Sequence, residues 1–205
     1  YVRNADVTWR STVNGMQKLS ATGNTDDGSA FNIDLDGSSP EGTAIKVVSS
    51  DAGFITSAFL DLDFIEGGRL DIDGTLARDG APSRFNIVVT DGRLHNAPFL
   101  TQILSLASLR GLADTLGGDG VLFSRIDIPL TVAGDRYVVT GGKAQGPALG
   151  LTANGYLGAD SEISVDGVLV PSFGMNSALG GIPIIGDLVV GRDGEGIFSL
   201  TYSIR

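Results

Sequence analysis

Few residues in this chain have the chemistry of a catalyst, and His95 is the only histidine. A Ser-His-Asp or Cys-His arrangement would have to use that histidine, and the chain has no cysteine. Its setting between Leu94 and Asn96 predicts a junction between a strand and a helix, where a surface or capping role is typical. The sequence therefore predicts a protein that is not an enzyme, and no cofactor is expected.

Paired carboxylates are the next candidates, because Asp61/Asp63 and Asp71/Asp73 are spaced to share one face of a strand. Such pairs could bind Ca²⁺ or act in glycoside hydrolysis. The solvated face of an amphipathic strand explains the same spacing, and neither an EF-hand pattern nor a GxxxxGK[ST] phosphate loop occurs. No metal site is predicted.

Charge and composition limit the partners. The net charge is −10 and no run of Lys or Arg occurs, whereas a nucleic-acid site needs concentrated positive charge. Nucleic acid is therefore not an expected partner. No apolar run reaches the roughly 20 residues that span a bilayer. Because the chain begins at Tyr1, we expect a fragment of a longer protein.

Short strands dominate the pattern, as in Phe31, Ile33 and Leu35, which alternate with polar residues. The 30 glycines suit many turns. The predicted fold is mainly β: a large curved, mostly antiparallel sheet, forming a rolled groove or partly open barrel. Pro129 interrupts one strand, which predicts an edge strand or a bulge there. Residues 1–205 are expected to form one module, with a loose repeat of 1–80 and 81–205.

One or two amphipathic helices are predicted to pack on or cap the apolar face. The longer spans Asn96 to Leu112, with Asn96 as a cap and Pro98 in the first turn. Its apolar arc contains Phe99, Leu100, Ile103, Leu104 and Leu106. A shorter helix over 51–59 could be capped by Ser50 or Asp51.

Several phrases, from about Asp51 to Tyr202, resemble the AsmA-like superfamily of Gram-negative envelope proteins. The resemblance is nearest to the C-terminal region of YhdP-type members, with TamB a more distant relative. The phrases are DAG (51–53) with GGRL (67–70), NAP (96–98) with LSLASL (104–109), GDGV (118–121) with Phe123, VPSFGMNS (170–177), IPIIG (182–186) and GEGIF (194–198). Phe173 stands where tyrosine is common in such sequences, and the first fifty residues match in pattern only.

The resemblance implies a periplasmic module of a protein anchored in the inner membrane by an upstream helix. In that family a rolled sheet encloses a hydrophobic groove that carries phospholipid between the inner and outer membranes, and no catalytic residues are known. We therefore expect a lipid-handling module for outer-membrane biogenesis that binds phospholipid or another acyl-chain lipid. It could also contact the outer-membrane surface or an envelope protein.

Three apolar rows are the expected groove floor: Leu70, Ile72 and Leu76; Phe85, Ile87 and Val89; and Ile126, Ile128, Leu130 and Val132. The long helix and the loop with Ile182, Ile184 and Ile185 are expected plugs or caps. Arg110 is the candidate for a phosphate headgroup. The same apolar residues could instead form an ordinary closed core.

Two other functions are compatible with this sequence. A TamB-like scaffolding module would bind a protein by strand addition at an open sheet edge. An adhesin-like or carbohydrate-binding domain would need exposed aromatic platforms, and the chain has one Trp and four Tyr.

Overall fold

Alternation of polar and apolar residues produces strands through most of the chain in this computed structural model, which describes residues 2–12, 15–106, 114, 117–158, 162–171 and 199–205. The helices are α1 (Ala52–Leu60) and α2 (Pro98–Leu106). The strands are β1 (Val2–Thr12), β2 (Gly15–Thr25), β3 (Ala30–Asp36), β4 (Gly42–Ser49), β5 (Ile65–Glu66), β6 (Arg69–Ala77), β7 (Ser83–Leu94), β8 (Val121–Ala133), β9 (Arg136–Gln145), β10 (Leu149–Leu157), β11 (Ile163–Pro171) and β12 (Leu200–Ile204).

All twelve strands belong to one antiparallel sheet, in which strands that follow each other along the chain are neighbours. The short β5 lies off this path and pairs with β7. The sheet is not closed, and within the described ranges β1 and β12 lie at its two ends. The prediction of a mainly β fold with a large antiparallel sheet is confirmed.

Cross-strand register sorts the side chains onto two faces, because partners in an antiparallel pair point the same way. One face carries polar residues, as in the row Thr8, Ser20, Asp34, Lys46, Asp73 and Asn86. The row one residue along is apolar: Val7, Ala21, Ile33, Val47, Ile72, Ile87 and Ile128. The Asp71/Asp73 pair therefore lies on the polar face.

Helix α1 begins where the sequence predicts. The carboxylate of Asp51 accepts a hydrogen bond from the Phe54 N–H at 3.1 Å, so Asp51 is the cap. The helix ends at Asp61, which has the left-handed φ of 56° and donates its N–H to the Thr56 carbonyl. The prediction that Asp61 and Asp63 share a strand face is wrong, because Asp61 terminates a helix.

Helix α2 begins at Pro98 and is described as far as Leu106, so residues 107–112 of the predicted helix lie outside the described residues. Pro98 opens the helix, which agrees with its predicted place in the first turn. Asn96 lies two residues before the helix with φ of 51°. The Thr101 N–H donates to the Ala97 carbonyl at 3.0 Å, so Ala97 occupies the cap position and the prediction that Asn96 caps the helix is wrong.

Pro129 lies in a central strand, so the edge alternative is wrong; a bulge occurs at this position, but in the neighbouring strand and not in the strand that holds Pro129. The register between β8 and β9 shifts between Asp127 and Leu130. The extra residue is in β9, where Gly141 has φ of 74° and its N–H is bonded to the Asn154 side chain at 2.7 Å. The sheet thus accommodates a proline that cannot donate a ladder bond.

Candidate functional site

One end of the apolar face is buried beneath the helices. A row that we call the covered row crosses the sheet there: Phe31, Ser49, Leu70, Val89, Ile126, Ala144, Leu151, Leu169 and Leu200. Its members are buried, apart from the half-buried Ala144 and Leu200. Ile55 of α1 and Leu100, Ile103 and Leu104 of α2 belong to the same buried cluster.

A local change of phase widens this covered region. Asp91 of β7 has φ of 54°, and on the partner strand β8 both Ser124 and Arg125 are exposed. From this point on, the alternation of buried and exposed side chains is therefore displaced by one residue in both strands. Beyond that point the buried residues are Leu94, Val121 and Phe123. The helix end of the sheet, where strands meet α1 and α2, is therefore sealed by a packed core.

Farther from the helices the apolar face is only partly covered. A row that we call the outer row crosses eleven strands: Trp9, Leu19, Leu35, Ile45, Gly74, Phe85, Leu130, Val139, Gly155, Val165 and Ile204. Its members from Leu19 to Val165 are all half-buried, Trp9 is exposed and Ile204 is buried. Half-buried apolar side chains at consecutive positions form a continuous track open to solvent.

The hairpin end of the same face, opposite the helices, is the most exposed. Val132, Tyr137 and Leu157 are cross-strand neighbours near the hairpin turns, and Leu76 lies near the end of β6. The exposed fractions are 51% for Leu76, 48% for Tyr137 and 44% for Leu157. We call these four residues the hairpin rim.

The ten predicted floor residues all lie on this one face, but at different depths. Three are in the buried covered row: Leu70, Val89 and Ile126. Six are half-buried: Ile72, Ile87, Ile128, Phe85, Leu130 and Val132. Leu76 is exposed at the rim. Contact of any of them with lipid stays a prediction.

The predicted cap residues divide in a similar way. Leu100, Ile103 and Leu104 are buried in the core, whereas Phe99 is 41% exposed and packs edge-on against Phe64, with ring centroids 6.0 Å apart. The side chain of Leu106 and the residues Arg110, Ile182, Ile184 and Ile185 lie outside what the structure describes. Their predicted roles stay predictions.

Sequence reasoning did not assign the strands beside the predicted floor to the site. Leu19, Leu35, Ile45, Val139 and Val165 extend the outer row on both sides of Phe85 and Leu130. Their alternation with polar residues was visible in the sequence, but alignment in one row depends on the register of every intervening pair. Gly74 and Gly155 in this row carry no side chain that would signal membership.

The polar face is a surface of exposed ion pairs. Lys18 lies 2.8 Å from Asp36, and hydrogen bonds from Lys18 and Ser38 hold the pKa of the Asp36 carboxyl below its usual range. Arg125 makes two hydrogen bonds to Asp127 at 2.6 and 2.7 Å, which raise the pKa of the guanidinium. Pairs this exposed contribute little stability, so they indicate a solvated face.

A surface hollow of about 390 Å³ lies at the β1 edge of the sheet. Trp9, Leu19 and Leu35 line it together with charged residues of the polar face, among them Lys18 and Asp36. None of the ten predicted floor residues lines this hollow. This hollow is therefore separate from the predicted floor.

The carboxylates and the histidine of the described residues do not cluster. No group of three or more His, Cys, Asp or Glu side chains in the described ranges could hold a metal ion. His95 follows β7, and its backbone N–H bonds to the Phe64 carbonyl at 3.0 Å. Neither of the two described helices is long and apolar enough to cross a membrane.

Comparison of this chain with family models, with curated proteins and with solved structures finds no match.

Proposed function

We propose that this chain is a non-catalytic lipid-handling module that holds acyl chains on the open part of its apolar face. The observation that carries this proposal is the outer row, an apolar track that is half-buried across the nine strands from Leu19 to Val165. In this proposal the sheet curls into a groove around the lipid, and the helices cap one side of it.

The physical argument is that an acyl chain needs continuous apolar contact and no fixed hydrogen bonds. Each buried CH₂ group contributes about 0.8 kcal/mol, so a chain of about 16 carbons gains roughly 10 kcal/mol before ordering costs. A track of similar side chains lets contacts be exchanged one at a time, so a bound chain can slide. Large exposed apolar surface without such a ligand would be an aggregation liability.

The resemblance to AsmA-like envelope proteins supports the same proposal. It assigns the module to a phospholipid bridge in the periplasm, in a protein anchored in the inner membrane. The bound molecule would then be a phospholipid, and the outer-membrane surface or an envelope protein would be a further partner.

Neighbouring residues on opposite faces provide a direct test. Phe85 is half-buried in the outer row, and the next residue, Asn86, is exposed on the polar face. A photo-crosslinking amino acid at position 85 should capture phospholipid from Gram-negative cells, detected by mass spectrometry, whereas the same group at position 86 should not. Equal capture at both positions, or none at position 85, would contradict the proposal.

The open edge of the sheet favours a second candidate function, a scaffold that binds an envelope protein by strand addition. Every residue of β1 is exposed, and among the described strands β1 pairs only with β2. Unpaired backbone groups along such an edge can bind an extended peptide segment.

A crosslinker at Thr8 of β1 tests this alternative, with Lys46 of the central β4 as the control on the same polar face. A protein adduct at position 8 alone, together with no lipid at position 85, would favour the scaffold. Lipid at position 85 with no protein adduct at position 8 would favour the lipid-handling module.

A further inference from the structure

We propose that β1 recognises a second copy of this chain: two copies pair through their β1 strands, antiparallel, with Thr8 of one opposite Thr8 of the other. The occupant of this strand's outer side is then a second copy and not a different envelope protein. The inference does not rest on the lipid-handling function, because all of its evidence lies in β1 and its neighbour β2.

The part of β1 that can take another strand is a regular stretch centred on Thr8. Every residue of β1 is exposed, and among the described strands β1 pairs only with β2. The stretch from Asp6 to Arg10 follows one unbroken register with β2, and a register shift lies on each side of it. Bulges are among the devices that keep an exposed strand from pairing, so the regular stretch between these shifts is the segment suited to a new partner.

Complementary charges lie on the two sides of Thr8. In antiparallel pairing about Thr8, Asp6 of each copy is opposite Arg10 of the other, which gives two ion pairs. The two side chains do not meet within one copy, because four residues of strand separate them by about 13 Å. Neither has an ion-pair partner among the described residues. The cross-strand neighbour of Arg10 is Lys18, a like charge that already pairs with Asp36 at 2.8 Å. A second copy would therefore supply the counter-charge that Arg10 lacks.

Apolar side chains on the other face of the same stretch are complementary in the same register. Val7 of each copy is opposite Trp9 of the other. Val7 is 52% exposed and Trp9 is 71% exposed, so both have apolar surface left to bury. An aromatic residue opposite a β-branched residue is a favourable cross-strand pair. Both faces of the stretch thus find partners at once.

Neighbouring registers lack this complementarity. Pairing centred on Val7 places Asp6 opposite Thr8, and pairing centred on Trp9 places Arg10 opposite Thr8, so neither register forms an ion pair. A slip by a single residue would bring the polar face of one copy onto the apolar side of the other. The register centred on Thr8 satisfies the charges and the apolar side chains together.

Cysteine crosslinking tests this register. The chain has no cysteine, so Thr8→Cys introduces a single thiol at an exposed position. Residues directly opposite each other in an antiparallel pair have Cα atoms about 4.5–5.5 Å apart, which suits a disulfide. Thr8→Cys should therefore form a disulfide-linked dimer on mild oxidation, whereas Val7→Cys, opposite Trp9, should not. Lys46→Cys, on the polar face of the central β4, controls for random collision. Crosslinking at position 8 that is no greater than at positions 7 and 46 would overturn the proposal.

Charge reversal tests the two ion pairs. Asp6→Arg and Arg10→Asp each place like charges opposite each other, so each should weaken the dimer about fivefold or more. The measurement is sedimentation equilibrium at about 0.15 M salt, which largely screens the net charge of −10 on each copy. The double variant, Asp6→Arg with Arg10→Asp, restores opposite charges and should regain the parent affinity. A double variant as weak as the single ones would contradict the pairing.

The emission of Trp9 provides a second readout, because Trp9 is the only tryptophan. Its emission should move to shorter wavelength as the concentration of the parent protein rises and the ring is buried against Val7. The same dilution series with Arg10→Asp should need a higher concentration for this shift. Emission that does not change with concentration up to the millimolar range would overturn the proposal.

The photo-crosslinker at position 8 distinguishes a second copy from another protein. An adduct of twice the mass of the chain supports self-pairing. A parent protein that stays monomeric while position 8 captures a different envelope protein would overturn self-pairing and favour strand addition by that protein. Capture of lipid at Phe85 is independent of both outcomes, so failure of this inference leaves the lipid-handling proposal intact.

Discussion

At the scale of single residues, Tyr202 shows how a side chain repairs a gap in the sheet. It lies directly opposite Gly167 on the neighbouring strand, and its ring covers that glycine. Its hydroxyl donates to the Thr152 carbonyl, one strand farther, at 2.7 Å. The Thr152 hydroxyl group in turn accepts the Val168 N–H at 2.9 Å. The pairing of β10 with β11 is interrupted between Leu151 and Asn154, and these side-chain hydrogen bonds replace the missing backbone bonds there.

Replacing Tyr202 with Phe should lower the free energy of unfolding by about 0.5–1.5 kcal/mol, because the partly buried hydrogen bond to the Thr152 carbonyl is lost. Burial raises the pKa of Tyr202 to about 12, with the nearby Asp166 a smaller cause. The native state therefore keeps a proton that the unfolded chain loses near pH 10. The stability that Tyr202 contributes should be complete below pH 10 and decline as pH rises towards 12.

Urea unfolding of the parent protein and the Tyr202→Phe variant at pH 8 and pH 11.5 measures both effects. The difference between the two proteins should be smaller at pH 11.5. Tyr137→Phe, at a half-exposed position, serves as the control and should change little. A constant difference across this pH range would contradict the linkage.

At the scale of elements, the Gly67-Gly68 turn fixes how α1 joins the sheet. The Ala52 N–H donates to the carbonyls of Gly67 and Gly68 at 3.1 and 2.7 Å, which satisfies a free donor of the first helical turn. Gly68 has φ of 76°, and a Cβ there would lie 2.8 Å from the Gly92 Cα. The double glycine thus allows three backbone segments to meet.

Comparison of Gly68→Ala with Gly80→Ala isolates this close approach. Both glycines have the same left-handed conformation, with φ of 76° and 75°, but nothing lies within 4 Å of a Cβ at Gly80. Gly80→Ala should cost about 1 kcal/mol from backbone strain alone. Gly68→Ala should cost clearly more, since the backbone of β7 has to move. Equal losses in thermal or urea unfolding would contradict this account of the turn.

At the scale of the whole molecule, the sheet has a packed half and an open half. Leu100 of α2 is completely buried at the helix end of the sheet, whereas Leu76 of β6 is half-exposed at the hairpin rim. Because both residues are leucines, the difference in their exposed fractions reflects their surroundings and not their side-chain chemistry. The packed half supplies stability, and the open half is where the proposed ligand binds.

Leu100→Ala should therefore destabilise the fold by about 2–5 kcal/mol, since it leaves a cavity. Leu76→Ala should change the free energy of unfolding by no more than about 0.5 kcal/mol. Urea unfolding of the two variants measures the contrast. Similar losses would show that the rim is part of the core, which would contradict an open half.

The sequence by itself determined the strands and the polarity of the two faces, because these depend on the alternation of polar and apolar residues. It offered Ser50 or Asp51 as the cap of α1, of which the structure selects Asp51, and it placed all ten floor residues on one face. It did not determine that Pro129 lies in a central strand, because a bulge in the neighbouring strand accommodates the proline. Nor did it show that Leu70 is buried and Leu76 is exposed, because both leucines alternate with polar residues in the same way along β6. Only the tertiary structure decided that distinction, since burial depends on where the helices pack and on the register of eleven strands.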